Sequence, residues 1–532
     1  MAVVAAPAAP ARAGAVLATL IAGAVVANIN LSTANVALPD IGRAFSASQT
    51  WLNLVAIGCT LGLAMSVLYL GALGDRYGRR LLLMLGMTLT IPASIASAWA
   101  PTVEILVAGR VITGIAAGLA YPTTLSLITA LWGPGRPRVR AIALWSSLSG
   151  AGAVLGPVIG GALLERFWWG SVFLIAVVPA FIVLLLVVML VPSGVNQSQE
   201  PVDHLGGVIS VLMVGALVLG VATVASPTGL SQALILIAVS AGLAVLFVLR
   251  ERSARNPLYD LRVASRRLFW VPAIAGMIVF GSLMGGMFIG QQFMQNVLGY
   301  STLASGVAVI PAAVGMVLVA GLAARLTLGI GTRATMLLGY AFILPAFLVM
   351  LLAWREQTAA VWVGLAYLLI GCGAGLALAP AARSLTSSVT IARVGMASAT
   401  NDLQRDLGGA IMQALMGSLL TAGYAATMAA AIGTSAEASK VTQQTSAALQ
   451  DSFASAATLA ERYPTFTQEI IAAARDSFLA GANWAYAAGA VAVVLGALLV
   501  ATCYPGRTRE RRLLDSYAAA ESTASESTAT GH

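Results

Sequence analysis

Residues 51–100 read WLNLVAIGCTLGLAMSVLYLGALGDRYGRRLLLMLGMTLTIPASIASAWA. Two apolar runs, 51–72 and 81–99, flank a short stretch that holds the four charged residues of this segment, Asp75, Arg76, Arg79 and Arg80. A helix of about 20 apolar residues crosses the hydrocarbon core of a bilayer, so each run is long enough to span it. The segment therefore predicts two membrane-spanning helices joined by a short charged loop.

The same pattern recurs along the whole chain. Of the 532 residues, 59% are hydrophobic and 9% are charged, whereas a soluble domain has about 25% charged residues. This composition predicts an all-α polytopic membrane protein with 14 transmembrane helices. The predicted spans are 14–38, 51–72, 81–99, 103–125, 140–163, 170–192, 205–225, 231–250, 269–291, 302–324, 334–353, 361–382, 396–424 and 477–503.

The arginines predict the orientation in the membrane. Most of them fall in alternate loops and in the two terminal segments, and basic residues are enriched on the cytoplasmic side. We therefore expect a multi-pass protein of the plasma membrane with both termini in the cytoplasm. The net charge of +9 follows from these loops, so we expect no nucleic-acid partner.

Several residue types that enzymes and metal sites need are scarce. The chain has two histidines, and its one lysine, Lys440, stands in AEASKVT, which is no phosphate-binding loop. We expect no enzyme activity, no metal site and no cofactor, and transport would draw on a proton gradient. The expected partners are small amphipathic substrates, protons and the lipid bilayer around a monomer.

Five stretches together resemble one transporter family. They are GALGDRYGRR (71–80), LVAGRVITGIAAG (106–118), GAVLGPVIGG (152–161), NVALPDI (35–41) and VLGYSTLASG (297–306). In order and spacing they are similar to the signature loop, the fourth-span motif, the fifth-span antiporter motif and two flanking motifs of the major facilitator superfamily. The match is to its 14-span drug:proton antiporters, of the multidrug efflux type.

The resemblance implies two six-helix bundles around a central cavity, with two helices inserted between them. Residues 1–192 would form the first bundle, 193–268 a linker with the two extra helices, and 269–503 the second bundle. A weak repeat agrees with duplicated halves, because GLAARLTLGIGTR (321–333) echoes 71–80. In the external loop 427–476 we expect two amphipathic helices on either side of Pro464, and the tail 504–532 should be a disordered cytoplasmic segment.

The resemblance also implies roles for two motifs. The signature loop would act as a gate latch between helices, through Gly71, Asp75, Arg76, Gly78, Arg79 and Arg80. The antiporter motif would allow close helix contact and a bend, through Gly152, Gly156, Pro157, Gly160 and Gly161. A positive-inside loop and ordinary glycine packing are the respective alternatives.

NDLQRDLGG (401–409) places three charges inside a predicted span. Asp402, Arg405 and Asp406 follow i, i+3, i+4 spacing and share one helical face. Asp406 would lie close to the membrane midplane, where ionisable groups usually face a cavity or a partner. We expect one carboxylate to pair with Arg405 and the other to carry a proton, with Arg110 of the fourth span as a further coupling residue by resemblance. The alternative is a buried ion network that only holds helices together.

The remaining candidates would line a substrate cavity. Asn28, Ser32 and Asn35 form a polar stripe on the first span. Asn30 stands where the family commonly has an Asp, so either the thirteenth span takes over proton coupling or coupling is altered. On the ninth span Met284, Met287 and Gln291 belong to a Met-rich stripe, which suits promiscuous apolar binding but also ordinary packing.

These features predict a secondary transporter that exports amphipathic drug-like compounds in exchange for protons by alternating access. A dedicated exporter of an endogenous lipid, peptide or antibiotic product is the nearest alternative. A membrane scaffold that transports nothing is the alternative from another class.

Overall fold

The computed structural model describes residues 12–132, 136–193, 201–223, 229–254, 257–388, 394–435 and 441–517. These residues form helices and no β-strand. The helices are α1 Ala13–Ser32, α2 Ala34–Phe45, α3 Gln49–Tyr77, α4 Arg79–Ala98, α5 Val103–Leu131, α6 Arg136–Leu164, α7 Ser171–Leu174, α8 Val177–Leu190, α9 His204–Thr223, α10 Gly229–Ser253, α11 Leu261–Ala264, α12 Arg267–Asn296, α13 Thr302–Val307, α14 Ile310–Gly329, α15 Thr332–Ala353, α16 Ala360–Ser387, α17 Val394–Thr434, α18 Gln443–Asp451, α19 Phe453–Arg462 and α20 Thr467–Cys503.

Among the described residues, 13 helical stretches are long and apolar enough to cross a membrane. The predicted fifth span coincides with the 29-residue helix α6, which is not one of the 13, so the count of 14 stays a prediction. Large apolar side chains point outward, and Met189, Leu318 and Val361 are at least 70% exposed. An apolar outer surface of this extent fits a lipid environment.

Two hydrophobic cores divide the chain into halves. One is formed by buried residues between Val16 and Val191. The other contains most of the buried residues between Leu268 and Tyr504, together with the α2–α3 region and part of α5. Because the second core takes in residues of the first half, the two halves are packed together over α2 and α3.

The helices α9 and α10 lie beside the seam between the halves. Val214 and Val218 of α9 pack in one small core with Ile57 and Leu61 of α3 and with Ala410 of α17. Ser418 of α17 also donates a hydrogen bond to the carbonyl of Val221 (2.8 Å). The inserted pair thus covers the junction of α3 and α17, and α10 forms its outer face.

The segment predicted as the external loop, 427–476, differs from the prediction. Both amphipathic helices, α18 and α19, precede Pro464, and α20 begins at Thr467 directly after a short 3₁₀ turn at Pro464–Phe466. Pro464 takes the first position of that turn, where its missing N–H is not needed. The connection between α17 and α20 is therefore 435–466, shorter at both ends than 427–476.

The tail also differs from the prediction in its first part. Residues 507–517 are helical, and Leu513, Leu514 and Tyr517 pack against the core of the second half. Glu510 accepts hydrogen bonds from Thr332 Oγ1 (2.6 Å) and from Tyr504 OH (3.1 Å). Composition favoured disorder here, but these contacts order the segment; residues 518–532 lie outside the described part of the chain.

Candidate substrate and proton pathway

The signature loop fastens helices of the first half to one another. Gly78 connects α3 to α4 with φ of +101°, a backbone conformation that favours glycine. Arg79 donates to the carbonyl of Ser126 on α5 (3.0 Å), and Arg80 donates to the carbonyl of Val188 near the end of α8 (2.8 Å). The side chain of Asp75 lies outside the described residues.

The second half repeats this arrangement. Gly331 connects α14 to α15 with φ of +94°, and Arg333, two residues later, donates to the carbonyl of Ala501 near the end of α20. The positions of Gly331 and Arg333 match those of Gly78 and Arg80. The echo seen in the sequence at 321–333 is therefore a structural echo as well.

The glycines of the antiporter motif bring α6 against two other helices. A Cβ added at Gly156 would lie 2.2 Å from Ser32 Oγ, and one added at Gly160 would lie 3.0 Å from the side chains of Thr33 and Val36. At Gly161 an added Cβ would lie 2.4 Å from the carbonyl oxygen of Thr302 on α13. The motif thus places α6 between α1–α2 of its own half and α13 of the other half.

Gly152 makes the same kind of contact one turn earlier. A Cβ added there would lie 3.2 Å from the carbonyl oxygen of Val25. Pro157 lies inside α6, and its carbonyl oxygen would be 2.5 Å from a Cβ added at Gly306 of α13. Small residues on both sides therefore let two backbones approach closely.

The polar residues of the first span are buried. Asn28 and Asn30 donate to carbonyls of their own helix, those of Ala24 (3.1 Å) and Val26 (3.3 Å). Ser32 is also buried, and Asn35 Oδ1 has no hydrogen-bond partner. The stripe at Asn28, Ser32 and Asn35 is therefore enclosed by neighbouring helices in this conformation.

Arg110 is enclosed within the first half, with 1% of its surface exposed. Its guanidinium donates to the backbone carbonyls of Asn30 (2.8 Å) and Val55 (3.4 Å) and lies over the ring of Phe173. One of its nitrogens, Nη2, has no partner. Backbone oxygens therefore hold this cation, and Asn30 contributes its carbonyl, not its side chain.

The charged face of α17 lies at the junction of the halves. Asp402 and Asp406 are 4% and 7% exposed. Asp402 Oδ1 accepts a hydrogen bond from Asn401 (3.4 Å), and Asp406 Oδ2 has no partner. The backbones of α12 and α17 approach closely here, because an added Cβ at Gly281 would lie 2.5 Å from the carbonyl oxygen of Gly408.

Arg405 contacts the other half of the protein. The structure contains no salt bridge between Arg405 and either Asp402 or Asp406, so the expected ion pair is not formed. Instead Arg405 Nη1 donates to Tyr121 OH of α5 (2.9 Å). Its guanidinium also lies 4.8 Å from the ring centre of Phe280 and 5.6 Å from that of Tyr121. Two aromatic faces and a phenol oxygen thus stabilise the cation.

The Met-rich stripe on α12 is part of the core. Met284 and Met287 are 8% and 3% exposed and belong to the large core of the second half. Gln291 is fully buried and donates to the carbonyl of Ser305 (2.9 Å). These three residues are therefore packed in this conformation, which is the alternative to a substrate-binding role.

A group of buried amides and hydroxyls, which the sequence did not single out, joins the halves where α3 begins and α12 ends. Gln49 donates to both Gln292 Oε1 (3.1 Å) and Asn53 Oδ1 (3.2 Å). Asn53 donates to Thr421 Oγ1 (3.1 Å), and Gln295 donates to the carbonyl of Val36 (3.0 Å). We call Gln49, Asn53, Gln292, Gln295 and Thr421 the amide gate.

One further bond between the halves lies about three turns further along α3. Thr60 Oγ1 donates to Gln413 Oε1 (3.3 Å). The spacing of Gln49 and Asn53 at i, i+4 was available as a signal, since it puts two amides on one face of α3. Tyr121 stands eleven residues after Arg110, about three turns along the same face of α5. Neither spacing identifies the partner side chain, because that side chain lies on another helix.

Relatives of this chain are efflux and resistance proteins by name. It is 31% identical over 496 residues to the Multidrug efflux pump LfrA of Mycolicibacterium smegmatis, covering 93% of this chain and 97% of LfrA. It is 31% identical over 398 residues to the Multidrug resistance protein Stp of Mycobacterium tuberculosis, covering 74% of this chain and 73% of Stp.

The fold is shared with solved transporters. A bacterial homologue of the human lysosomal transporter Spinster, in an inward-facing and unoccupied conformation, matches with a TM-score of 0.62 at 15% identity, covering 94% of this chain and 97% of that one. The sequence model of the Major Facilitator Superfamily matches residues 20–413. With this match over most of its length and a relative such as LfrA, the chain belongs to the Major Facilitator Superfamily.

Proposed function

We propose that the protein is a secondary transporter of the plasma membrane that exports amphipathic, cationic or neutral drug-like compounds in exchange for protons. The observation that carries the proton coupling is the buried carboxylate of Asp406, which has one oxygen without a hydrogen-bond partner. The names of LfrA and Stp support the substrate class, and the family supports a transporter, not an enzyme.

The proposed organisation follows the two cores. Residues 1–192 and 269–503 act as the two moving bundles, and 193–268 carries the inserted pair. Both termini lie in the cytoplasm, which places the amide gate at the external face and the signature loop at the internal face. In this orientation the hydrogen bonds of the amide gate would close the outer side of the junction between the halves.

Proton binding acts on α17. A charged carboxylate without a partner is unfavourable in a low-dielectric interior, and protonation removes the charge. Asp406 therefore favours burial when it is protonated and favours contact with water when it is charged. Asp402, one turn earlier on the same face, is the second carboxylate available to the pathway.

Arg405 links that event to the opposite bundle. It lies between Asp402 and Asp406 in sequence and reaches across to Tyr121 of the first half. A change of charge on either carboxylate alters the field at the guanidinium and with it the bond to Tyr121. Alternating access follows when this contact and the amide gate break together and the bundles rock.

The experiment measures proton movement in everted vesicles that hold the wild-type protein, Asp402→Asn or Asp406→Asn. A pH-sensitive dye reports the collapse of an imposed gradient when a cationic dye substrate is added. We expect a response from the wild type that is lost in Asp406→Asn. Asp515→Asn, an exposed carboxylate of the tail helix, is the matched control and should respond like the wild type.

Two outcomes would contradict the proposal. A full response from both carboxylate variants would remove α17 from proton coupling. No response from folded wild-type protein with any cationic or neutral amphipath would favour the dedicated exporter of an endogenous product. In that case restoring Asp at position 30 tests whether coupling depends on the first span.

A further inference from the structure

A cavity of about 700 Å³ lies where α10 ends and α12 begins. It is open on one side and lies at the last turn of α10, next to the residues that precede α12. Its lining includes Glu251, Arg252, Asp260, Arg262 and Arg266. A volume of this size is typical of a small-molecule site.

The cavity carries a net positive charge. Its lining has three arginines against two carboxylates. Arg252 and Arg262 are exposed, and neither guanidinium has an ion-pair partner among the described residues. Two unpaired guanidiniums at one opening suit a phosphate group, which arginine binds through two parallel N–H donors.

The inner wall of the cavity is held rigidly. Arg266 donates to the carbonyl of Ser388 (2.6 Å), and its guanidinium lies 4.3 Å from the ring centre of Tyr517. Glu251 is 4% exposed, and its Oε2 accepts the backbone N–H of Tyr259 (3.0 Å). These bonds fix the wall, so the exposed arginines are the groups that remain available to a ligand.

The surface next to the cavity is apolar. Val245, Leu246 and Leu249, on the last turns of α10, are 61%, 49% and 57% exposed. α10 is the outer helix of the inserted pair, so these side chains face the hydrocarbon of the bilayer. A ligand with a phosphate in the cavity can therefore lay its apolar part along α10.

We propose that this cavity binds a phospholipid with a single negative charge on its headgroup. The phosphate lies between Arg252 and Arg262, and the acyl chains lie along Val245, Leu246 and Leu249. The headgroup charge neutralises the excess positive charge of the lining. Basic pockets at the membrane surface bind anionic headgroups in this way.

The test uses the full-length protein purified in detergent and titrated with dioctanoyl phosphatidylglycerol. Binding is followed by the midpoint of thermal unfolding, because a ligand that binds the folded state raises it. We expect a concentration-dependent rise. An exposed arginine near a charged lipid surface contributes enough that Arg252→Gln or Arg262→Gln should each weaken the apparent affinity about fivefold.

The controls separate the lipid from its parts. Dioctanoyl phosphatidylcholine has the same phosphate and chains but no net charge, and should bind much more weakly. Glycerol phosphate has the anion without the chains, and should give no rise at the same concentrations. Arg462→Gln, an exposed arginine on α19, should bind phosphatidylglycerol like the wild type.

Three results would overturn the proposal. Equal rises in the unfolding midpoint with phosphatidylglycerol and phosphatidylcholine would show that the cavity does not distinguish the net charge of the headgroup. A rise with glycerol phosphate equal to that with the lipid would make the ligand a soluble phosphate ester. An unchanged affinity in the double variant Arg252→Gln, Arg262→Gln would place the lipid elsewhere.

Discussion

Replacing Tyr121 by Phe removes one oxygen and tests the contact between the bundles. The hydroxyl accepts a hydrogen bond from Arg405 (2.9 Å), and Tyr121 is buried. The Phe ring keeps the aromatic face 5.6 Å from the guanidinium and the contact with Trp145. The change is therefore close to the deletion of a single charge-assisted bond.

A hydrogen bond to a charged group contributes about 1.5–3 kcal/mol. Because the bond joins the two halves, its loss should change the ratio of conformations with and without this contact by about 10- to 150-fold. The conformation described here, in which the amide gate is closed, contains the bond and should lose population. Transport should slow, and its dependence on pH should shift, since Arg405 no longer transmits the charge of α17 to the first half.

Two assays measure this effect. Hydrogen exchange of the peptide that covers the start of α3 should rise when the closed state is depopulated, and dye-driven proton movement in everted vesicles gives the pH profile. Tyr69→Phe removes a hydroxyl that bonds to His204 (2.9 Å) and is the matched control. If Tyr121→Phe equals the wild type in both assays, Arg405 does not couple the halves through Tyr121.

The other predictions concern packing, charge and the gate. Gly161→Ala puts a Cβ 2.4 Å from a backbone oxygen of α13 and should lower the unfolding free energy by about 1–3 kcal/mol, whereas Gly433→Ala, with no atom within 4 Å, should be neutral or stabilising; thermal unfolding compares them. Burial raises the pKa of Asp203, but the hydrogen bonds from Arg250 and from a backbone N–H lower it by a larger amount. The pKa therefore lies below its usual 3.8. The stabilisation is then present above about pH 4 and lost as the pH falls through the lowered pKa, so Asp203→Asn should unfold at a lower temperature at pH 7 and match the wild type in acid. Gln292→Leu removes the bond from Gln49 and should raise hydrogen exchange at the start of α3; unchanged exchange there would contradict the gate.

Much of the fold could be predicted from residues 51–100 and their repeats, because hydrophobic length directly determines which segments cross a membrane. The all-helical membrane class and the family were confirmed, while the count of 14 spans stays a prediction. The division between α1 and α2 at Thr33 could not be predicted, because it falls within one apolar run without a charge or a glycine at the junction, and Thr33 itself keeps helical dihedral angles. The helix at 507–517 was missed because its stability comes from contacts of Glu510 and Tyr517 with distant residues.

The site was predictable only in part. Helical spacing predicted one face for Asp402, Arg405 and Asp406; in the structure the two carboxylates are buried and Arg405 is half-buried. The partner of Arg405 could not be read from its neighbours in sequence, because Tyr121 lies 284 residues away. The low exposure of Met284 and Met287 shows that the Met-rich stripe is packed in this conformation. The sequence could not show this, because apolar periodicity is the same for a packed face and for a cavity wall.

The paired clasps at Gly78–Arg80 and Gly331–Arg333 have a mechanical consequence. Each joins the start of one helix to the end of the last helix in its own half, so each half should move as a rigid body. Relative motion is then concentrated where the two halves contact each other. At that place Gly161 of α6 lies against the backbone of Thr302, and Gly306 of α13 lies against the carbonyl of Pro157, so one half can turn on the other there without interlocking side chains at these two positions.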